Sequence, residues 1–129
     1  MVSASMLCVV VDCRDPGREA DFWAQALDYQ VSQRNPGEIQ VSDPEGHGGS
    51  LYFMGVPEPK AGKNRLHLDL LTAGSLEDEI TRLTDAGAEL VEIRQDPSSF
   101  DNPDRWAVLT DPEGHEFCVT STATFTGWT

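Results

Sequence analysis

The sequence has few basic residues and no long apolar run. Among its 129 residues, 9 Lys+Arg stand against 22 Asp+Glu, a formal net charge of −13 at pH 7. Nucleic acids and anionic membrane surfaces are bound through basic patches, so neither is expected as a partner. No segment approaches the ~18 apolar residues that a membrane span needs, and Met1–Met6 lacks the basic start and apolar stretch of a signal peptide. We therefore expect a soluble cytoplasmic protein.

Cysteine is also scarce, and several catalytic motifs are missing. The three cysteines are Cys8, Cys13 and Cys118, and in a chain without an export signal we expect them to be reduced thiols. The sequence lacks G-x-S-x-G, H-E-x-x-H, a Walker-type glycine loop and G-x-G-x-x-G. Serine-hydrolase chemistry and nucleotide cofactors are therefore not indicated.

An internal repeat divides the chain into two halves. Asp-Pro-Glu-Gly-His occurs at 43–47 and again at 111–115, an offset of 68 residues. Upstream of the pentapeptides the halves match at an offset of 59, which aligns Leu27-Asp28-Tyr29 with Ala86-Gly87-Ala88. The same order of structural signals thus occurs twice, with extra residues in the second half.

The repeat predicts a single domain, residues 1–129, made of two modules and a short C-terminal tail. The modules span about 1–58 and 64–121, and the Pro- and Gly-containing segment Gly55–Asn64 is typical of a linker. The difference between the two offsets indicates an insertion in the second module at Asp96–Arg105. Its polar character and two prolines favour a lid over one end of a site.

Each module is predicted to run strand, helix, strand, strand, strand. Asp15, followed by a proline, and Ser75, three residues ahead of an acid, are helix N-cap patterns. Asp-Pro-x-Gly is typical of a type I turn, so each pentapeptide should join two hairpin strands, with His47 and His115 exposed at the turns. The principal predicted strands are Met6–Val11, Glu38–Val41 and Ser50–Gly55 in the first module, and Leu66–Leu71, Trp106–Thr110 and Glu116–Thr120 in the second.

Neither module has enough strands to bury its helix and both faces of its sheet alone. The predicted fold class is therefore α+β, with two βαβββ modules paired about a pseudo-twofold axis. A groove between the two curved sheets is the expected site.

Several stretches of the sequence carry a family resemblance. They are Asp-Phe-Trp-x-x-Ala-Leu-x-Tyr in the first helix, the run Val56–Leu70 with Arg-Leu-His-Leu-Asp-Leu at its end, and Asp-Pro-Glu-Gly-His-x-x-Cys at 111–118. With the βαβββ repeat, they resemble the glyoxalase/bleomycin resistance/dioxygenase superfamily, and most closely its small bacterial glyoxalase-like domain group. The resemblance covers nearly the whole chain and implies the vicinal oxygen chelate fold. It leaves the reaction open, because members include lyases, isomerases, dioxygenases and drug-sequestering proteins.

The resemblance also implies where a metal would lie. Metal-dependent members carry four ligands, mainly His and carboxylate, on the first and last strands of each module. The repeat offsets place Cys8 and His67 at the first-strand positions, and Ser50 and Cys118 at the last-strand positions. Only His67 keeps the expected residue type, so no cofactor is favoured. The alternative is one divalent metal such as zinc, held by Cys8, His67 and Cys118.

Strand alternation predicts the other residues of the groove. If His67 faces the groove, then Arg65 and Asp69 do so too, while Leu66 lies on the side of the helices. His67, Asp69 and Glu116 are the candidate catalytic acids or bases. The candidate substrate contacts are a cation, two thiols and three aromatic walls, namely Arg65, Cys8, Cys118, Tyr52, Phe53 and Trp106.

Three classes of function remain open. The favoured one is a glyoxalase-like protein that binds a small organic molecule in the groove without a metal, as drug-sequestering proteins do. The second is a lyase or isomerase of the glyoxalase superfamily, in which His67, Asp69 or Glu116 moves a proton next to a carbonyl. The third is an accessory domain acting through a dimer interface. We expect a homodimer, because family members commonly pair and open sheets leave edges to cover.

Overall fold

The computed structural model describes residues 2–95 and 105–122, except for the side chain of Gln33. Contacts within the chain divide it into two compact units, Met1–Lys60 and Ala61–Thr129, each considered by itself below. Residues 96–104 of the lid predicted at Asp96–Arg105, and most of the C-terminal tail, lie outside the described residues. Among the helices described, none is long and apolar enough to cross a membrane.

The first unit has one helix and a four-stranded sheet in the strand order β1-β4-β3-β2. The sheet is mixed, because β1 runs parallel to β4 whereas β3 is antiparallel to both of its neighbours. The elements are β1 Val9–Cys13, α1 Pro16–Leu27, β2 Gln30–Asn35, β3 Glu38–Ser42 and β4 Leu51–Gly55.

The second unit repeats this arrangement, with the strand order β5-β8-β7-β6. Here β5 is parallel to β8, and β7 is antiparallel to β8 and β6. The elements are β5 Leu68–Thr72, α2 Leu76–Ala86, β6 Glu89–Gln95, β7 Arg105–Thr110 and β8 Glu116–Ser121. The α+β class and the βαβββ order predicted from the repeat are confirmed.

Both helices begin where the capping patterns predict. The Asp15 carboxylate accepts a hydrogen bond from the Arg18 N–H at 3.2 Å, and the Ser75 hydroxyl accepts one from the Asp78 N–H at 3.1 Å. Each side chain satisfies a backbone donor that the first helical turn leaves without an intrahelical partner. At the other ends, Asp28 and Gly87 have φ angles of 55° and 125°, so the two aligned positions both reverse the chain with positive φ.

Each sheet packs one face on its own helix, and the side chains on that face form the core. In the first unit these include Val41 and Phe53 on the sheet and Trp23 on the helix. In the second unit Phe117 and Val119 are buried in the same way. Because strand side chains alternate, the residues between them point to the other side, called the helix-free face below.

The opening strands start later than predicted. β1 begins at Val9 and β5 at Leu68, so the prediction of strands from Met6 and from Leu66 is wrong at the first residues. Leu66 is 89% exposed and does not pack against a helix as expected. The apolar run at each start is longer than the strand that it contains, because hydrophobicity alone does not mark where backbone pairing begins.

The first turn is held by Asp43, whose carboxylate accepts hydrogen bonds from the backbone N–H groups of Glu45, His47 and Gly48 at 2.9 to 3.2 Å. These bonds lower the pKa of the Asp43 carboxyl. The Tyr29 side chain packs directly over Gly48, and burial together with Asp43 raises the pKa of the Tyr29 phenol. The turn between β3 and β4 is thereby fixed to the end of α1.

Gly48→Ala is expected to destabilise the protein by about 0.5–1.5 kcal/mol, because the added methyl would displace the Tyr29 hydroxyl at the far end of a half-buried side chain. Urea denaturation followed by circular dichroism measures this change in the free energy of unfolding. Gly49→Ala is the matched control, since nothing lies within 4 Å of a Cβ at that position. Equal stabilities of the two variants would show that the tyrosine does not pack closely on this glycine.

Candidate functional site

The candidate site lies on the helix-free face of the second sheet. Asp69 on β5, Cys118 on β8 and Val108 on β7 occupy one row across three strands, since Asp69 pairs with Cys118 and Cys118 with Val108. The next row contains Trp106, which pairs with Thr120. Phe117 and Val119, the neighbours of Cys118 along β8, are buried on the opposite face. The face thus combines polar groups at β5 and β8 with an aromatic ring on β7.

His67 joins this face from the residue that precedes β5. Its Nε2 lies 3.1 Å from Oδ1 of Asp69, and the two side chains are 46% and 60% exposed. One nitrogen of His67, one oxygen of Asp69 and the sulfur of Cys118 all lie within 4.8 Å of one another. The structure therefore brings together two predicted catalytic residues and one of the predicted thiols. Asp69 was not among the residues predicted to hold a divalent metal, which were Cys8, His67 and Cys118.

The thiol of Cys118 is held in its protonated form. Burial and the negative charge of Asp69 raise its pKa, while the positive charges of Arg94 and Lys63 oppose the shift. Loss of the thiol proton would place a second negative charge beside Asp69. Cys118 therefore enters the site as a weak hydrogen-bond donor rather than as a thiolate nucleophile.

Glu116, the third candidate acid or base, has a structural contact. Its Oε2 accepts a hydrogen bond from the Asn64 N–H at 2.9 Å, and its backbone carbonyl accepts one from the Asn64 side chain at 3.4 Å. This pair of bonds fastens the segment before β5 to the start of β8. Since His67 follows three residues later, the bonds also limit where the imidazole can lie.

The remaining predicted contacts of the second unit are Arg65 and Trp106. Arg65 is exposed and precedes β5, so it is not on a strand as the alternation argument assumed. Trp106 is half-buried, and its partner on β6 is Arg94. Trp106 and Arg94 therefore stand side by side at the β6 side of the same face.

The first unit holds the other predicted contacts. Tyr52 lies on the helix-free face of its sheet, where its hydroxyl donates to Oε2 of Glu38 at 2.7 Å, and this bond raises the pKa of the phenol. Cys8 is half-buried just before β1. Phe53, by contrast, is fully buried in the core, so its predicted role as an aromatic wall beside Tyr52 is wrong. Consecutive strand residues cannot face the same side.

Three serines that were not singled out as a group line up on the same face of the first sheet. Ser42 Oγ lies 2.9 Å from Ser32 Oγ and 3.1 Å from Ser50 Oγ, giving a chain of hydroxyls across β2, β3 and the residue before β4. Ser50 and Ser42 flank the Asp43 turn in the sequence. The pairing of residues between neighbouring strands is the signal that would have identified this group of serines.

The pairing of the strands also corrects the alignment of the two halves of the chain at their last strands, β4 and β8. Between β3 and β4 the paired residues Val41 and Leu51 are ten positions apart, whereas Leu109 and Phe117 on β7 and β8 are eight apart. The first turn therefore has two extra residues, and the counterpart of Cys118 is Tyr52 rather than Ser50. Tyr52 pairs with Val10 as Cys118 pairs with Asp69, which restores the offset of the first strands.

The two turn histidines differ, although their pentapeptides are identical. The His47 side chain is 79% exposed, as predicted. The His115 side chain is only 15% exposed, and its Nδ1 lies 2.9 Å from Oδ2 of the buried Asp111. The expectation of an exposed His115 is therefore wrong. The shorter second turn returns directly to β8, where the His115 carbonyl accepts from the Asp111 N–H at 2.9 Å.

Comparison with known proteins assigns the chain to a family. Residues 8–120 match the family described as the glyoxalase-like domain. Because the match spans most of the 129 residues, the chain belongs to the glyoxalase-like domain family. The resemblance to the glyoxalase/bleomycin resistance/dioxygenase superfamily is thereby confirmed. A search of curated proteins finds no match to this sequence.

Solved structures with the same fold include proteins of different activities. A glyoxalase/bleomycin resistance protein/dioxygenase family enzyme from Burkholderia phytofirmans is 20% identical, with a TM-score of 0.72, and the match covers 92% of this chain and 98% of that one. Lactoylglutathione lyase from Agrobacterium tumefaciens is 12% identical, with a TM-score of 0.66 and coverage of 97% and 98%. A mutant of the fosfomycin resistance protein FosX from Listeria monocytogenes is 12% identical, with a TM-score of 0.71 and coverage of 92% and 90%. At these identities the likeness shows the fold alone.

The FosX structure contains Mn(II). An imidazole nitrogen, a carboxylate oxygen and a thiol sulfur within 4.8 Å of one another form a candidate ligand set for one ion. A tetrahedral zinc, with bonds of about 2.0–2.3 Å, would draw these atoms closer together and would require the thiol to lose its proton. A thiol in the set favours zinc over manganese, which prefers oxygen ligands. His67, Asp69 and Cys118 therefore have donor types that suit a zinc-type ion, with Asp69 in place of the predicted Cys8.

Asp69→Asn is expected to lower the pKa of the Cys118 thiol, because it removes the nearest negative charge. The measurement is the rate of alkylation by iodoacetamide against pH, read by mass spectrometry of the Cys118 peptide in the presence of a chelator. At neutral pH the variant should be alkylated faster than the unmodified protein. An unchanged pH profile would mean that Asp69 does not act on the thiol. Glu113→Gln, on the β7–β8 turn, controls for the general loss of a negative charge.

Proposed function

We propose that this protein binds a small organic molecule on the helix-free face of its second sheet. The observation that carries the proposal is the convergence of a nitrogen, an oxygen and a sulfur from His67, Asp69 and Cys118 within 4.8 Å. Convergent polar groups beside an aromatic wall are typical of small-molecule sites. Trp106, two residues along β7 from the row of Cys118, supplies that wall.

The charges around the site favour a ligand with an oxygen-bearing, electron-rich group. Arg94 and Lys63 lie close enough to Cys118 to act on its pKa, and the protonated thiol itself is a donor. A carbonyl or carboxylate oxygen of the ligand would find donors there, while Asp69 would accept from a ligand hydroxyl. Binding of this kind requires no metal, in keeping with the protonated thiol.

Native mass spectrometry of protein purified without a metal-affinity tag tests this proposal. We expect a bound organic molecule in the unsubstituted protein. His67→Ala should reduce its occupancy at least tenfold, because the substitution removes the imidazole and, with it, the side chain that contacts Asp69. His47→Ala, which removes an exposed turn histidine, should retain the molecule. Retention by both variants would place the molecule elsewhere. A chelatable metal at one per chain, lost on His67→Ala, would favour the metal-assisted alternative.

A lyase or isomerase is the second candidate, favoured by the 3.1 Å contact between His67 and Asp69. A carboxylate beside an imidazole orients the ring, which suits a general base acting next to a carbonyl. A zinc-type ion held by the three side chains would polarise that carbonyl oxygen. Without the ion, Asp69 would accept a hydrogen bond from one ring nitrogen of His67, and the other ring nitrogen would take the proton from the substrate. With the ion, the facing nitrogen and oxygen would be its ligands and would carry no proton.

Consumption of lactoylglutathione, the compound in the name of one structural relative, provides an activity test. If the second candidate is right, His67→Gln should lower the rate about 10²–10⁴-fold, the usual contribution of a general acid or base. Asp69→Asn should lower it less, since that residue acts through the imidazole. The assay is run with and without added zinc. Absence of turnover in both conditions would exclude lactoylglutathione as a substrate and would favour the ligand-binding function.

A further inference from the structure

The last strand of the second sheet, β6, forms a sheet edge. In the strand order β5-β8-β7-β6 its described neighbour is β7 alone. All seven residues of β6 are exposed, including Leu90 at 43%, Val91 at 58% and Ile93 at 43%. Exposed apolar edge strands are templates for pairing with another strand, and proteins usually shorten, charge or cover them.

The charges of β6 have an order that suits pairing with itself. Glu92 and Arg94 stand on either side of Ile93, and their side chains lie on the helix-free face, as their partners Val108 and Trp106 do. Within one chain, Arg94 Nε lies 2.6 Å from Glu92 Oε1, with both side chains about half exposed. Two opposite charges flanking one apolar residue become complementary when the strand is turned end for end.

We propose that β6 pairs antiparallel with β6 of a second copy of this chain, about a two-fold axis through Ile93. In this register Ile93 faces the partner subunit's Ile93, and Glu92 faces the partner subunit's Arg94. The two-fold axis repeats the second contact, so the dimer contains two such charge pairs, one on each side of the axis. The pairing joins the two second-unit sheets through backbone hydrogen bonds. The contact is isologous and closes after two copies, so it does not extend into a fibre.

Only this register matches the charges. With the axis at Glu92 or at Arg94, identical charges would face each other directly, which destabilises a strand pair. The bulge between Leu90 and Glu92 interrupts the regular pairing with β7 and bends the strand, so the regular pairing about Ile93 runs from Glu92 to Arg94. The short contact predicts a reversible dimer of modest affinity.

Sedimentation velocity of the full chain between 1 and about 100 μM tests the proposal. We expect a concentration-dependent dimer. Glu92→Arg should weaken it at least tenfold by setting two like charges against each other, and Arg94→Glu should do the same. The double variant Glu92→Arg/Arg94→Glu restores opposite charges and should restore the dimer. Glu58→Arg, an exposed linker position in the first unit, is the control for the change in net charge.

Hydrogen exchange gives a second readout that does not depend on any variant. If β6 is the interface, its backbone amides should exchange more slowly at high protein concentration than at low concentration, while those of β2, the edge of the first sheet, should not change. A monomer throughout the concentration range would overturn the proposal. So would a dimer unaffected by either single substitution, or a double variant that stays monomeric with the circular dichroism spectrum of the folded protein.

Discussion

The alternation of side chains on two covered sheets is the constraint on which the site depends. α2 packs on one face of the second sheet, and Phe117 and Val119 are buried beneath it. Cys118, between them on β8, must therefore point the other way, to the face that also holds Asp69. Moving one residue along the strand would bury the thiol and expose an aromatic ring. The core thus decides which side chains are available for chemistry.

Turn length is the next level of control, because it sets which residues are paired. Asp43 and Asp111 use the same hydrogen bonds, accepting the N–H groups of Glu45 and Glu113 at 2.9 Å. Two additional residues in the first turn nevertheless shift the following strand, so that Tyr52 takes the place that Cys118 has in the second unit. The turn length, which lies outside both strands, therefore makes Tyr52 rather than Ser50 the counterpart of Cys118.

The sequence predicts the order of elements well, because helix caps and turns are local signals. Ser75 and Asp15 mark the helix starts as expected, and most strand bounds agree within one or two residues. Predictions that needed pairing register or burial were less successful, as Phe53 and the second turn histidine, His115, show. The repeated pentapeptide and the alternation of side chains along the strands do not reveal that one turn is two residues longer than the other. The contact of His67 with Asp69 likewise depends on a side-chain direction that the spacing does not fix.

Arg94 contributes both to the edge strand β6 and to the candidate site on β5 and β8. Arg94 lies on β6 beside Glu92, yet its positive charge also acts on the Cys118 thiol, against the effect of Asp69. Pairing of β6 with a second copy would bring the partner subunit's Glu92 to Arg94 and the partner subunit's Arg94 to Glu92, so it would add no net charge at this edge. The raised pKa of the Cys118 thiol therefore follows from burial and from Asp69 within one chain. The hydrogen-bond-donating form of Cys118, which a metal-free ligand site uses, does not depend on the dimer.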